Sequence, residues 1–107
     1  MEQKSIPPDE CSSLDEIRAG MDAIDRGIVA LIAERVAYVR AAAKFKTSSA
    51  NVAAPERVAA VLGTRRLWAE EAGLGGDVVE SLYRDLVAYC VSEEHKEFAR
   101  LNSPRFT

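Results

Sequence analysis

An apolar seam along residues 14–45 restricts the fold of this chain more than any other feature. Its side chains recur at alternating three- and four-residue steps, a spacing that places them on one face of an α-helix. They are Leu14, Ile17, Met21, Ile24, Ile28, Leu31, Tyr38, Ala42 and Phe45. Ser13, followed by Glu16 three residues later, predicts a capping box at the start, and no proline interrupts the segment. The pattern therefore predicts one helix of about 33 residues, near 50 Å long.

Such a helix is too long to be covered by the rest of its own small chain. The length of 107 residues fits one domain, and the 48% of hydrophobic residues is ample for a core if some surface is shared with a partner. A seam along the whole helix requires another long helix beside it, so we predict a homodimer. We expect a single domain over residues 1–107, with its core at about 11–98 and flexible ends at 1–10 and 99–107.

Two shorter helices are predicted after the first. The segment Thr47–Ala54 consists mostly of small and polar residues and predicts a flexible loop. Pro55, at a first helical position, opens a second helix that ends at Gly73. Asp77 and Glu80 predict another capping box, from which a third helix begins. Because no segment has a strand pattern, the predicted fold class is all-α, a three-helix chain with one very long first helix.

Charge and composition argue against several classes of function. The net charge of −3 and the lack of a basic stripe argue against a nucleic-acid partner. No run approaches the roughly 20 apolar residues of a membrane-spanning helix, and the N-terminus lacks the apolar core of a signal peptide. We therefore expect a cytoplasmic protein with no membrane partner. Cys11 and Cys90 fit neither a disulfide framework nor a metal site, so both are expected to be reduced thiols.

Arg35 is a charged residue within the apolar seam. Desolvating a guanidinium is costly unless an anion meets it, so the position predicts a carboxylate or phosphate partner. Lys46 follows about 16 Å further along the same face, near enough for the two side chains to close around a small dianion. Arg18 lies roughly 25 Å from Arg35 along the helix, so it can serve such a site only in a partner chain. Alternatively, Arg35 pairs with an acidic residue across a dimer and fixes its register.

Glu94 is a second charge in an apolar setting. It shares a helical row with Val87, either Cys90 or Val91, and Phe98. Apolar neighbours favour a protonated carboxyl group, which can donate a hydrogen bond, whereas a nearby ammonium such as that of Lys46 favours the ionised form. The alternative is a solvated charged face, because charged residues flank Glu94 in the sequence.

Four stretches of the sequence carry a family pattern. They are LDEIRAGMDAIDRGIVALIAERVAYV, AAAKFK, APERVAAVLGTRRLWAEEAGL and VVESLYRDLVAY. Together they closely resemble the all-helical type II chorismate mutases, and within them the isochorismate-pyruvate lyases of salicylate and siderophore synthesis. The resemblance extends over about residues 11–98. It implies an intertwined homodimer of three-helix chains with two equivalent sites, each of which borrows an arginine from the other protomer.

The resemblance also implies roles for five side chains. Arg18 is the borrowed arginine, and with it Arg35 and Arg57 bind the two carboxylates of the substrate. Lys46 contacts the enolpyruvyl side chain and its ether oxygen. Glu94 hydrogen-bonds the same oxygen, at a position where bacterial members usually carry glutamine and fungal mutases carry glutamate. No cofactor and no metal ion are implied.

Two positions depart from the mutase pattern. Typical mutases have a glutamate directly after the position of Arg57 and an aspartate three residues before it, and both hold the ring hydroxyl of the substrate. This chain has Val58 and Ala54 there. The hydroxyl contact is therefore absent, as it also is in the pyruvate lyases. We still expect Val58, together with Cys90, to contact the substrate.

These departures favour an isochorismate-pyruvate lyase that also has chorismate mutase activity. Either reaction can proceed by a concerted cyclic shift that needs no nucleophile, metal ion or cofactor. The expected catalytic residues are Lys46, Glu94 and Arg35. One alternative is a dedicated mutase that acts on chorismate or on 4-amino-4-deoxychorismate. Another is a non-catalytic helical dimer that binds an aromatic dicarboxylate.

Overall fold

Helices form nearly all of the chain. A computed structural model describes residues 6–103 and has no strand within them. In chain order the helices are α1 (Leu14–Ala42), α2 (Ser49–Ala53), α3 (Pro55–Glu71) and α4 (Gly76–Leu101). Two 3-10 turns lie at Pro8–Glu10 and Ala43–Phe45. The predicted all-α fold with a long first helix is confirmed, although α1 has 29 residues and ends in a 3-10 turn.

The chain divides after Arg35 into two compact units, which are described separately below. Of the ends predicted to be flexible, residues 1–5 and 104–107 lie outside the described residues. The single domain over residues 1–107 stays a prediction. None of the helices within residues 6–103 is long and apolar enough to cross a membrane.

In the first unit, side chains cap the start of α1. The backbone N–H of Glu16 donates to Oγ of Ser13 at 3.1 Å, which is half of the predicted capping box. The carboxylate of Glu16 accepts from the backbone N–H of Ser12 at 2.7 Å and from its hydroxyl at 3.1 Å. The reciprocal contact thus lies one residue earlier than predicted. It still ties down a backbone N–H group at the helix start, where such groups lack intrahelical partners.

The seam of α1 is largely exposed in a single chain. In the first unit, five of its six residues are exposed, from 48% at Ile28 to 64% at Leu31, and Ile17 is half-buried. In the second unit, Tyr38 is 80% exposed and Phe45 76%, and Ala42 is half-buried. A soluble monomer rarely leaves such a large contiguous apolar face in water. This face is the surface that the predicted dimer would cover.

In the second unit, α4 is the element against which the others pack. α3, α2 and the 3-10 turn Ala43–Phe45 all contact it. The buried apolar residues of this unit are Val36, Ala43, Val52, Val61, Leu62, Ala69, Val87 and Cys90. Ala43 has no exposed surface, and its burial fixes the 3-10 turn that leads into Lys46. The packing therefore holds the residue after this turn close to α4.

The prediction of a flexible loop over Thr47–Ala54 is wrong, because α2 lies within this segment. Oγ of Ser48 accepts a hydrogen bond from the backbone N–H of Asn51 at 3.2 Å and so caps the helix. Val52 is only 2% exposed and anchors the segment in the core. Ala54 then takes φ 38°, in the left-handed region, where the chain turns from α2 into α3.

The predicted capping box at Asp77 is also wrong. Gly75 is the N-cap of α4, and no side chain caps this helix. Asp77 forms an ion pair with Arg66 of α3 instead. α3 and α4 approach each other closely here, because a Cβ added to Gly76 would lie 2.9 Å from Cγ of Arg66. The arginine of the neighbouring helix therefore takes the carboxylate that local sequence assigned to the helix start.

Candidate functional site

A largely buried ion pair joins Lys46 and Glu94. Nζ of Lys46 lies 2.9 Å from Oε2 of Glu94, and the two side chains are 24% and 9% exposed. The pair forms because the 3-10 turn before Lys46 packs on α4, where Glu94 is buried on the same row as Val87 and Cys90. The interpretation of Glu94 as part of a solvated charged face is therefore wrong.

Oε2 of Glu94 keeps unused hydrogen-bonding capacity. Among the described residues, no donor makes a well-aligned hydrogen bond to this atom, so its contact with the Lys46 ammonium is mainly electrostatic. A buried polar atom in this condition is uncommon in folded proteins and calls for an explanation such as a catalytic role. When protonated, the same carboxyl group can donate a hydrogen bond to a ligand atom.

A second partner of Lys46 was not predicted from the sequence. The ammonium donates to the backbone carbonyl of Asn51 at 3.1 Å. Oδ1 of Asn51 accepts from the hydroxyl of Thr47 at 2.6 Å and from its backbone N–H at 3.4 Å. In the sequence, Ser48 lies three residues before Asn51, and this spacing is typical of a helix N-cap. That spacing indicates a short helix but not the contact with Lys46.

Glu93 adjoins Glu94 in sequence but has different partners. Arg40 donates to one of its carboxylate oxygens at 2.6 Å, and Lys96 donates to the other at 3.0 Å. These hydrogen bonds, that of Arg40 above all, lower the pKa of Glu93. Glu93 is thus an ionised carboxylate in a surface network, whereas Glu94 is buried against Lys46.

The arginines predicted to bind carboxylates belong to both units. Arg18 and Arg35 lie on the part of α1 in the first unit, where Arg18 is exposed and Arg35 is half-buried. Arg57 is exposed in the first turn of α3, and the adjacent Val58 is half-buried. Cys90 is buried one helical turn before Glu94. Of the predicted site residues, the structure brings Lys46 and Glu94 into direct contact.

Comparisons with known proteins identify the family. The chain matches the model of the family chorismate mutase type II over residues 17–95. It is 44% identical to the isochorismate pyruvate lyase of Pseudomonas aeruginosa over 89 residues, which cover 83% of this chain and 88% of that protein. It is also 33% identical over 93 residues to the T-protein of Haemophilus influenzae, covering 85% of this chain and 25% of that protein.

This chain belongs to the chorismate mutase type II family and is an enzyme. The family named from the sequence stretches is therefore confirmed, as is the all-α fold. Membership in a family of enzymes argues against the alternative of a non-catalytic helical dimer.

Proposed function

We propose that this enzyme converts isochorismate to salicylate and pyruvate and also rearranges chorismate to prephenate. The observation that carries the proposal is the buried pair of Lys46 and Glu94, whose charged atoms are 2.9 Å apart. The similarity to the P. aeruginosa lyase over 83% of this chain supports isochorismate as the substrate. Ala54 and Val58 support it as well, because apolar side chains cannot hold the ring hydroxyl that typical mutases bind.

Both reactions break the ether C–O bond between the ring and the enolpyruvyl arm. In the lyase reaction, a ring hydrogen moves to the methylene carbon of the arm as this bond breaks, which leaves salicylate and pyruvate without any added reactant. In the mutase reaction, the methylene carbon forms a new C–C bond with the ring instead. Negative charge grows on the ether oxygen in either case, so the enzyme gains most by stabilising this atom.

Lys46 and Glu94 supply two donors for the ether oxygen. The ammonium brings a positive charge, and the carboxyl of Glu94, when it takes up a proton, brings a hydrogen bond. Each preorganised donor contributes about 3 kcal/mol to transition-state stabilisation, by analogy with oxyanion holes. Their low exposure, 24% and 9%, strengthens this effect because little water competes for the two donors. Contact with each other offsets part of the cost of holding both groups in an apolar setting.

Three arginines hold the carboxylates of the substrate in this proposal. They are Arg35, Arg57 and Arg18 of the second protomer. A guanidinium binds a carboxylate through two parallel hydrogen bonds, which fixes the direction of the group as well as its position. Holding both carboxylates keeps the enolpyruvyl arm over the ring, a restriction that supplies several kcal/mol of the barrier. Val58 and Cys90 contact the substrate beside these groups.

The proposed site is completed by a homodimer. Seventeen residues of α1, roughly 25 Å, separate Arg18 from Arg35, so one small substrate cannot contact both side chains of the same protomer. The exposed seam of α1 supports a pairing of long helices that brings Arg18 of one chain to the site of the other. Location in the cytoplasm is also part of the proposal.

The direct test offers the purified protein isochorismate and chorismate in separate reactions. We expect salicylate and pyruvate in equal amounts from isochorismate, and slower formation of prephenate from chorismate. Chromatography of the products identifies each of them. Turnover of chorismate or its 4-amino analogue without turnover of isochorismate would favour the dedicated mutase instead.

Lys46→Ala should lower kcat by orders of magnitude and leave the helical circular dichroism spectrum unchanged, because the ammonium acts on the transition state more than on the fold. Lys46→Arg should restore little activity, since a planar guanidinium does not replace a compact ammonium. Stopped-flow or single-turnover assays give the rates. A kcat near that of the wild type in the alanine variant would contradict the mechanism.

Arg18→Ala and Arg35→Ala should each be almost inactive, yet should regain activity when unfolded and refolded together. A mixed dimer built from the two variants has one site with both arginines intact. The recovered activity is therefore about a quarter of that of the wild type, because half of the dimers are mixed and each has one intact site of two. Mixed dimers, shown by mass spectrometry of differently tagged chains, that remained inactive would exclude the shared site.

Glu94→Gln should keep more of the wild-type kcat than Glu94→Ala. An amide N–H group can donate to the ether oxygen, whereas alanine has no donor at this position. Product assays with isochorismate give kcat for both variants. Equal kcat values for the two variants would contradict the role of Glu94 as a donor.

A further inference from the structure

Lys46 lies between two partners that come from different elements. Its Nζ is 2.9 Å from the Glu94 carboxyl on α4 and 3.1 Å from the backbone carbonyl of Asn51 in α2. An ammonium has three N–H donors. One of them donates to the Asn51 carbonyl, and the contact with Glu94 is mainly electrostatic, so two N–H groups remain for the ether oxygen. The direction of these groups depends on where the Asn51 carbonyl is held.

Side chains of the same segment hold this carbonyl in place. Oδ1 of Asn51 accepts from the hydroxyl and the backbone N–H of Thr47, the residue that follows Lys46. The backbone N–H of Asn51 donates to Oγ of Ser48. These three hydrogen bonds close a tight loop that starts at the catalytic lysine. We name the contacts among Thr47, Ser48 and Asn51 the loop clasp.

The loop clasp is anchored to the helix that carries Glu94. Val52 follows Asn51 and is 2% exposed, and α2 packs on α4. The carbonyl of Asn51 and the carboxyl of Glu94 are therefore fixed relative to each other through one packed core. A lysine held by both loses the freedom of its long side chain before substrate binds, and a donor oriented in advance costs no reorganisation during the reaction.

We propose that Asn51 is a positioning residue, whose side chain fixes the loop so that its own backbone carbonyl aims the Lys46 ammonium at the ether oxygen. This inference rests on the proposed function. Asn51 touches no reacting atom and acts only through Lys46. Its removal should therefore reduce kcat, which depends on the transition state, and spare KM, which depends on the arginines.

The first experiment measures kcat and KM of Asn51→Ala with isochorismate. We expect kcat to fall roughly ten- to hundredfold, the effect of a small misplacement of a catalytic group. KM should change by less than about threefold. Thr47→Val, which removes the hydroxyl but keeps the shape, should show the same split, whereas Thr47→Ser keeps a hydroxyl and should remain near the wild type.

Asn102→Ala is the matched control. The side chain of Asn102 donates to the carbonyl of Phe98 at 2.8 Å at the end of α4, so this variant also loses one asparagine contact. It lies eight residues, about 12 Å, beyond Glu94 along the helix. We expect kcat to be unchanged. A kcat for Asn51→Ala as high as that of this control would overturn the inference.

A second experiment separates positioning from general loosening of the fold. In the Lys46→Ala background, Asn51→Ala should lower single-turnover rates by less than about twofold, because no ammonium remains to be aimed. An equal loss in both backgrounds would identify a purely structural role and overturn the inference.

Wild-type protein in the same assays distinguishes the role of Asn51 from the proposed function. An active wild type with a normal Asn51→Ala contradicts only the role of Asn51, whereas a folded wild type that turns over neither substrate contradicts the proposed function and, with it, this inference.

Discussion

The contact between Lys46 and Glu94 is the interaction around which the site is organised. An ammonium or a carboxylate alone would be costly among Val87, Cys90 and the rest of this core, and each offsets the desolvation of the other. The pair is not a fully satisfied structural salt bridge, because Oε2 of Glu94 has no well-aligned hydrogen bond from the described residues. A polar pair in this condition fits a ligand atom that takes up the remaining capacity.

The elements of the second unit position the two side chains of this contact. The buried Ala43 sets the 3-10 turn from which Lys46 extends, and α4 presents Glu94 opposite it. α2 adds the carbonyl of Asn51 on the other side of the ammonium. Glu93 is kept apart from this arrangement by Arg40 and Lys96, so two adjacent glutamates act in different environments.

Most of the apolar seam on α1 is exposed in a single chain. Exposed seam residues such as Leu31 and Tyr38 favour association with a second long helix. In the dimer proposed above, this association would bring Arg18 of one chain to the site of the other. In the proposed dimer, the apolar seam of α1 therefore has two roles. Burial of the seam stabilises the fold, and the pairing of helices completes the site.

Local patterns predicted the long helices well, because an apolar repeat, a proline at a first helical position and a cap all act over a few residues. The repeat from Leu14, Pro55 at the start of α3, and Ser13 with the N–H of Glu16 all occur in the structure. Local sequence patterns gave a wrong prediction where a side chain could pair with more than one partner. Asp77 could cap its own helix by sequence, but it pairs with Arg66 on α3.

The sequence identified Lys46 and Glu94 as candidate site residues, but it did not show how they are arranged. The apolar row around Glu94 marked it as misplaced, and the family resemblance linked it to Lys46. The sequence by itself determined the all-α class, the long first helix and the set of candidate residues, since these follow from periodicity and residue type. Only the tertiary structure decided that Glu94 is buried against Lys46 and that Asn51 holds the same ammonium. The first contact depends on how the 3-10 turn packs on α4, a helix far along the chain, and the second on how the segment from Lys46 to Asn51 turns back on itself, which residue types do not specify.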